Sequence, residues 1–166
     1  MSEPVIVTDW ELLQLALAEG VACKVEGFVR DFRFLSNFYP SPVEVDRITY
    51  PTVEHAYQAA KTSDRLERQA IATLASPGAA KRAGSKIQTG ADWQATKVPV
   101  MGQLVRLKFT TYADLREKLL ATGTSYLEET NAWGDSFWGV CGGTGANHLG
   151  RILMEVRESF RIGELA

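Results

Sequence analysis

The sequence predicts an α+β fold: a single domain, mostly helical, with a few short antiparallel strands. Apolar residues recur on a period of about 3.6 along most of the chain, whereas β-branched and aromatic runs are brief. A hydrophobic content of 45% over 166 residues suffices for one domain with a real core and leaves too little chain for two. No internal repeat, low-complexity tract or linker divides it.

Taken in order, Thr8-Asp-Trp-Glu11 has the spacing of a capping box and leads into Leu12, Leu13, Leu15, Ala16 and Leu17, a short amphipathic helix that stops at Gly20. Residues 21–29 favour a strand. The run Arg30 to Pro40 mixes aromatics with charges, keeps no period, and reads as an ordered loop. Val43, Val45, Ile48 and Tyr50 flank Asp46-Arg47 as two short strands around a tight turn.

Pro51 to Lys61 begins a second helix with Thr52 as N-cap and Glu54 in the first turn, where the helix dipole favours a carboxylate. Val53, Ala56, Tyr57 and Ala60 make its apolar stripe; Glu54, Gln58 and Lys61 form a separate polar stripe that is compatible with a solvent-facing surface. Further helices follow over residues 64–75 and from Ser76-Pro77 to Gly84. Lys97 to Phe109 forms another, with Pro99 in its first turn and Met101 in the core, and Thr111 to Ala121 is closed by Gly123. Residues 126–130 read as a strand, and the last helix spans about Ala146 to Arg161.

A net charge of −2 argues against a protein that holds nucleic acid mainly by neutralising phosphates, although a local patch such as Lys81, Arg82 and Lys86 is compatible with one phosphate or with a solvated face. Cys23 and Cys141 have neither zinc-site spacing nor the density of a secreted disulfide scaffold. With no membrane-length apolar run and no signal-peptide pattern, the expectation is a soluble, cytoplasmic protein with reduced thiols.

The least ordinary stretch is Asn131-Ala-Trp-Gly-Asp-Ser-Phe-Trp-Gly139, followed by glycines and a helix start. Trp133 and Trp138 bracket Asp135, an arrangement suited to a flat ligand or, equally, to an aromatic mini-core closed by a loop. Gly142, Gly143 and Gly145 permit close backbone approach, and the helix that follows would aim free N–H groups at whatever lies there.

Phe34-Leu-Ser-Asn-Phe38, Tyr50-Pro-Thr-Val-Glu-His-Ala-Tyr-Gln-Ala-Ala-Lys61, the Trp93 region, Asn131-x-Trp-x-Asp-x-Phe-Trp-Gly139 and Gly145-x-Asn-x-Leu-Gly150 resemble, in order, the motifs of the YbiA/NADAR family over about residues 27–160. That resemblance implies a YbiA-like α+β fold and an N-glycosidase. Its implied substrates are phosphoribosylaminopyrimidine intermediates of riboflavin synthesis or ADP-ribose linked to guanine, free or in nucleic acid. Such hydrolysis develops oxocarbenium character on the sugar, which calls for a carboxylate near the anomeric carbon, a positioned water and help for the departing base.

By resemblance, Glu54 is the catalytic carboxylate and Asp135 the second candidate, with Lys61 setting the charge of Glu54 or holding phosphate. Phe38, Trp93, Trp133 and Trp138 would contact base or sugar; Asn37, Asn131 and Asn147 would hydrogen-bond; Gly139, Gly143 and Gly145 would line the site. Ala146 stands where many members carry lysine, which shifts the expected phosphate contacts to backbone N–H groups and to Lys81, Arg82 or Lys86. His55 and His148 are expected as structural hydrogen-bonders, and Cys141 has no base at a recognisable spacing. No cofactor or metal is expected. The alternative from another class is a non-catalytic reader of ADP-ribose or nucleotides, disfavoured because a carboxylate repels a phosphorylated ligand. A duplex-DNA glycosylase would need a basic footprint that the chain lacks.

Overall fold

The computed structural model describes residues 3–164. Strand β1 (Val5–Val7), absent from the sequence reading, precedes helix α1 (Trp10–Ala18). The N-cap of α1 is Asp9 rather than Thr8: Asp9 is extended and its carboxylate accepts from Leu12 N at 2.9 Å, while the Thr8 hydroxyl donates to the same carboxylate. Strand β2 (Cys23–Glu26) is shorter than expected, and the expected loop after it holds a 3-10 helix, Arg30–Leu35. Strands β3 (Val43–Val45) and β4 (Ile48–Tyr50) follow as predicted, with both turn residues, Asp46 and Arg47, at positive φ.

Helix α2 (Val53–Ala59) is capped by the Thr52 hydroxyl, as predicted. Helices α3 (Arg65–Ala72) and α4 (Pro77–Gly84) carry Asp64 and Ser76 as N-caps. Helix α5 (Trp93–Thr111) begins earlier than expected, so Pro99 lies in its interior and not its first turn. Ala95, whose carbonyl loses a helical donor there, and Pro99 are both exposed, which lessens the penalty. Helix α6 (Ala113–Ala121), strands β5 (Tyr126–Glu128), β6 (Thr130–Asn131) and β7 (Val140–Cys141), and helix α7 (His148–Arg161) complete the chain.

The elements gather into two compact units. The first comprises the segments up to Ser36 and from Ala113 onward; the second is the continuous segment Asn37–Tyr112.

In the first unit, β1, β2 and β5 form a parallel sheet in that order, and β6 pairs in parallel with β7. Among the described strands the expected antiparallel pairing therefore holds only for β3 and β4 of the second unit. The intervening α1 returns the chain so that β2 runs alongside β1 in the same direction. Register places Val7, Val25 and Leu127 in one row, each at most 1% exposed, beside the buried Leu149, Leu153 and Val156 of α7. Across β2 the opposed Glu26 and Glu128 are bridged by Lys24, whose ammonium lies 2.5 Å from Glu26 and 3.5 Å from Glu128.

The second unit is built around α2, which packs against α3, α4, α5 and the β3–β4 hairpin. Every residue from Val53 to Ala59 is buried, so Glu54 and Gln58 of the polar stripe that the sequence allowed to face water are enclosed, while Lys61 beyond them is half-buried. Among the described residues no helix is long and apolar enough to cross a membrane.

Lys108 of α5 is 1% exposed, its ammonium 5.4 Å from the centre of the Tyr39 ring and 5.1 Å from that of Phe109. Burial pushes its pKa down to about 7. Between that value and the ordinary lysine value of 10.5, the unfolded chain binds the proton that the folded chain has released, so stability rises with pH across this window. The slope attributable to Lys108 is at most about 1.4 kcal/mol per pH unit. Urea unfolding at pH 7 and pH 9.5 should show the rise, and Lys108→Met should flatten it; an unchanged slope in the variant would remove Lys108 as its source.

Candidate functional site

The second unit places a carboxylate, an amide and an ammonium together on α2 and its C-terminal end. Glu54 is 7% exposed, and its N–H donates to the Asn37 carbonyl at 3.1 Å. One helical turn on, Gln58 Nε2 donates to Glu54 Oε1 at 2.7 Å. Lys61 donates to the Gly84 carbonyl at 3.4 Å and stands 5.7 Å from the centre of the Tyr57 ring. Burial lowers its pKa, the Glu54 charge opposes that shift, and the charges of Lys81 and Lys97 add to it.

Lys61 also lines an open cleft of about 270 Å³, together with Thr62, Arg68, Asp92, Trp93 and Thr96. Trp93 is 8% exposed and packs on Tyr57, ring centres 5.4 Å apart, so it is a wall of the cleft and not a free stacking platform. Arg68 is already engaged with Asp46 and the Thr62 carbonyl. Phe38 is 37% exposed, whereas Asn37 is buried and turns its amide toward Met101 Sδ at 3.2 Å. Both ring nitrogens of His55 are hydrogen-bonded: Nε2 reaches the Leu74 carbonyl at 3.1 Å and Nδ1 the Thr52 hydroxyl at 2.8 Å, which fits the tautomer protonated on Nε2. Sequence reasoning groups Gln58 with Glu54 and Lys61 without giving it a role, and misses Gly84, whose small size is visible but whose contact with Gln58 is not.

The tryptophan stretch belongs to the first unit and is an internally bonded loop. Asp135 Oδ1 accepts from Phe137 N at 3.1 Å and Trp138 N at 2.9 Å, and Asn131 exchanges side-chain hydrogen bonds with the Asp135 backbone. Trp138 meets Phe137 edge-on at 5.0 Å, and the His148 ring lies 4.4 Å from that of Phe137. Trp133 projects outward, 67% exposed.

A Cβ on Gly139 would lie 2.1 Å from the Glu129 carbonyl oxygen and one on Gly145 2.2 Å from that of Gly139, so both glycines serve chain-to-chain approach. Gly143 sits in open space at positive φ. Asn147 adopts the left-handed conformation, and its amide bonds to Glu129 N, Tyr126 Oη and the Leu127 carbonyl, fastening the start of α7 to β5.

The first two N–H groups of α7 and those of the two residues before it are engaged. Those of Ala146, Asn147, His148 and Leu149 donate to the carbonyls of Ser136, Gly139, Phe137 and Trp138. The start of α7 thus holds the tryptophan loop, which overturns the expectation that these donors face a ligand. Among the described residues no group of His, Cys, Asp and Glu side chains has the arrangement of a metal site.

A family model described as the NADAR domain matches residues 27–161. The chain belongs to the NADAR family. Among NADAR relatives, the N-glycosidase YbiA of Escherichia coli (strain K12) is 40% identical over 135 residues, covering 80% of this chain and 84% of that protein. An N-glycosidase of Nostoc punctiforme is 43% identical over 133 residues, covering 76% and 84%. The chloroplastic riboflavin biosynthesis protein PYRR of Zea mays is 39% identical over 144 residues, covering 76% of this chain and 23% of that longer protein. The NMR structure of E. coli YbiA matches with a TM-score of 0.76 at 33% identity, over 99% of this chain and 89% of that one. The NADAR fold is therefore the α+β fold that the sequence predicted.

In this NADAR chain Asp135 acts as the anchor of its loop. Asp135→Ala should lower stability by about 1–3 kcal/mol, since two backbone donors lose a charged acceptor, and should speed protease cleavage near the exposed Trp133. Asp135→Asn, which keeps an acceptor oxygen, should stay close to wild type. Equal unfolding midpoints and cleavage rates for the alanine variant and the wild type would show that Asp135 anchors nothing.

Proposed function

We propose that this N-glycosidase of the NADAR family hydrolyses the bond between a ribose and a nitrogen of a base-like ring, with Glu54 as its catalytic carboxylate. The burial of Glu54 carries this reading. A first-turn glutamate kept only for helix stability gains its fraction of a kcal/mol equally well in water, whereas an enclosed carboxylate loses solvation that must be offset. Here the Gln58 amide, the nearby Lys61 charge and the α2 N-terminus supply that offset, leaving an anion in a low-dielectric site where it acts strongly on a developing cation.

As the glycosidic C–N bond breaks, positive charge spreads over the anomeric carbon and ring oxygen, and Glu54 stabilises it. A water then forms the new C–O bond and gives up a proton, for which the carboxylate is the acceptor, while the departing nitrogen takes a proton. Lys61, charged but with a lowered pKa, is suited to supply that proton or to bind a phosphate at the cleft. The positive field of Lys61, Lys81 and Lys97 beside the Trp93 wall supports a phosphorylated, nucleotide-like small molecule as substrate.

Within that class, phosphoribosylaminopyrimidines are favoured by the riboflavin-synthesis names of relatives in Zea mays and Vibrio vulnificus. ADP-ribosylated guanine, implied by the resemblance, is the second substrate. A reducing, cytoplasmic setting is supported by the unpaired thiols of Cys23 and Cys141.

Two measurements test the assignment. Incubation with each substrate, followed by mass spectrometry of the freed base and sugar, should show release from one of them; binding without release would establish a reader instead. Glu54→Gln should lower single-turnover cleavage on the order of 10²-fold or more while binding survives, because the amide keeps the shape and loses the charge. A folded variant with near-normal cleavage would exclude Glu54 from the chemistry.

A further inference from the structure

We propose that Gln58 is the positioning residue that holds Glu54 ionised and aimed, and that Gly84 is glycine in order to seat Gln58. The inference rests on Glu54 as the catalytic carboxylate. Gln58 is 4% exposed and donates through Nε2 to Glu54 Oε1 at 2.7 Å. Its own Oε1 is buried with no hydrogen-bond partner. Reversing the amide would set its oxygen against Glu54 Oε1, two acceptors at the distance of a short hydrogen bond, which is tolerable only with Glu54 protonated. The observed orientation therefore favours the carboxylate form.

The seat is Gly84, at the end of α4. A Cβ built there would lie 1.9 Å from Gln58 Oε1, 2.7 Å from Cδ and 2.8 Å from Cβ. Gly84 has no positive φ and is helical, so its backbone would accept alanine, and helix propensity alone would prefer it. What alanine would remove is the space in which the Gln58 amide lies flat. The carbonyl of Gly84 also accepts from Lys61, so one residue of α4 fixes both neighbours of Glu54.

A merely structural Gln58 would change stability alone; a positioning Gln58 changes the pH profile. Losing its N–H raises the pKa of Glu54, so the acid limb of kcat should move to higher pH in Gln58→Met and Gly84→Ala. Both variants should lose about tenfold or more in kcat, part of the effect typical of a placed acid–base group, with KM little changed. The double variant Gly84→Ala, Gln58→Gly should be no worse than Gln58→Gly, because with the Cβ, Cδ and Oε1 atoms of Gln58 gone nothing is left to meet the added methyl.

Wild-type kcat and acid limb in folded Gln58→Met or Gly84→Ala would overturn the proposal, as would additive losses in the double variant. Glu54→Gln run alongside separates the two readings. If it is inactive while the Gln58 and Gly84 variants behave as wild type, the positioning role alone falls; if it is active, the catalytic role of Glu54 falls first.

Discussion

The second unit depends on enclosing a carboxylate in the first turn of α2. Helices commonly leave one side to water, yet α2 is covered on all sides by α3, α4, α5 and the β3–β4 hairpin. Among its polar side chains, Gln58 donates to the Glu54 carboxylate one turn away. Thr52 serves as cap and as partner of the His55 ring, so the polar groups at the start of the helix are also met internally. Covering all sides of a helix requires small neighbours at the closest approach. Gly84 is one of them.

The first unit resolves a comparable demand differently. Its tryptophan loop has few regular elements, so its backbone groups need partners elsewhere. The Asp135 carboxylate and the Asn131 amide take some, and the N–H groups of residues 146–149, at and just before the start of α7, take the carbonyls of residues 136–139. A helix start used in this way is no longer an anion site. The same glycine-rich sequence that suggested phosphate binding therefore describes a chain folded closely upon itself at Gly139 and Gly145.

What was legible in the sequence follows from which interactions are local. Thr52, Asp64 and Ser76 cap helices through bonds to residues two or three positions on, so those starts could be read directly. Strands of three or four residues carry no mark of their partners, so the sequence does not distinguish the parallel sheet from an antiparallel one; β1, with Val5 and Ile6 exposed, lacks even an alternating pattern. Pro99 suggests a first-turn position and so a late start for α5, but an exposed interior position also tolerates it. Periodicity correctly grouped Glu54, Gln58 and Lys61, but it could not tell whether that face was wet.

That last ambiguity decides how the family motif should be understood. In the run from Thr52 to Lys61, Glu54 and Lys61 invite a catalytic reading, while Gln58 looks like a spacer on a polar face. Once the face is enclosed, the roles become interdependent: a buried carboxylate without a donor would tend to take up a proton, and a buried ammonium without a nearby anion would tend to lose one. Gln58 supplies the donor to Glu54, and the Glu54 charge raises the pKa of Lys61 against burial. The order of residues along α2 is thus an electrostatic arrangement. The Glu54 carboxylate is favoured by the donor one turn on, and the Lys61 ammonium by the Glu54 charge two turns back.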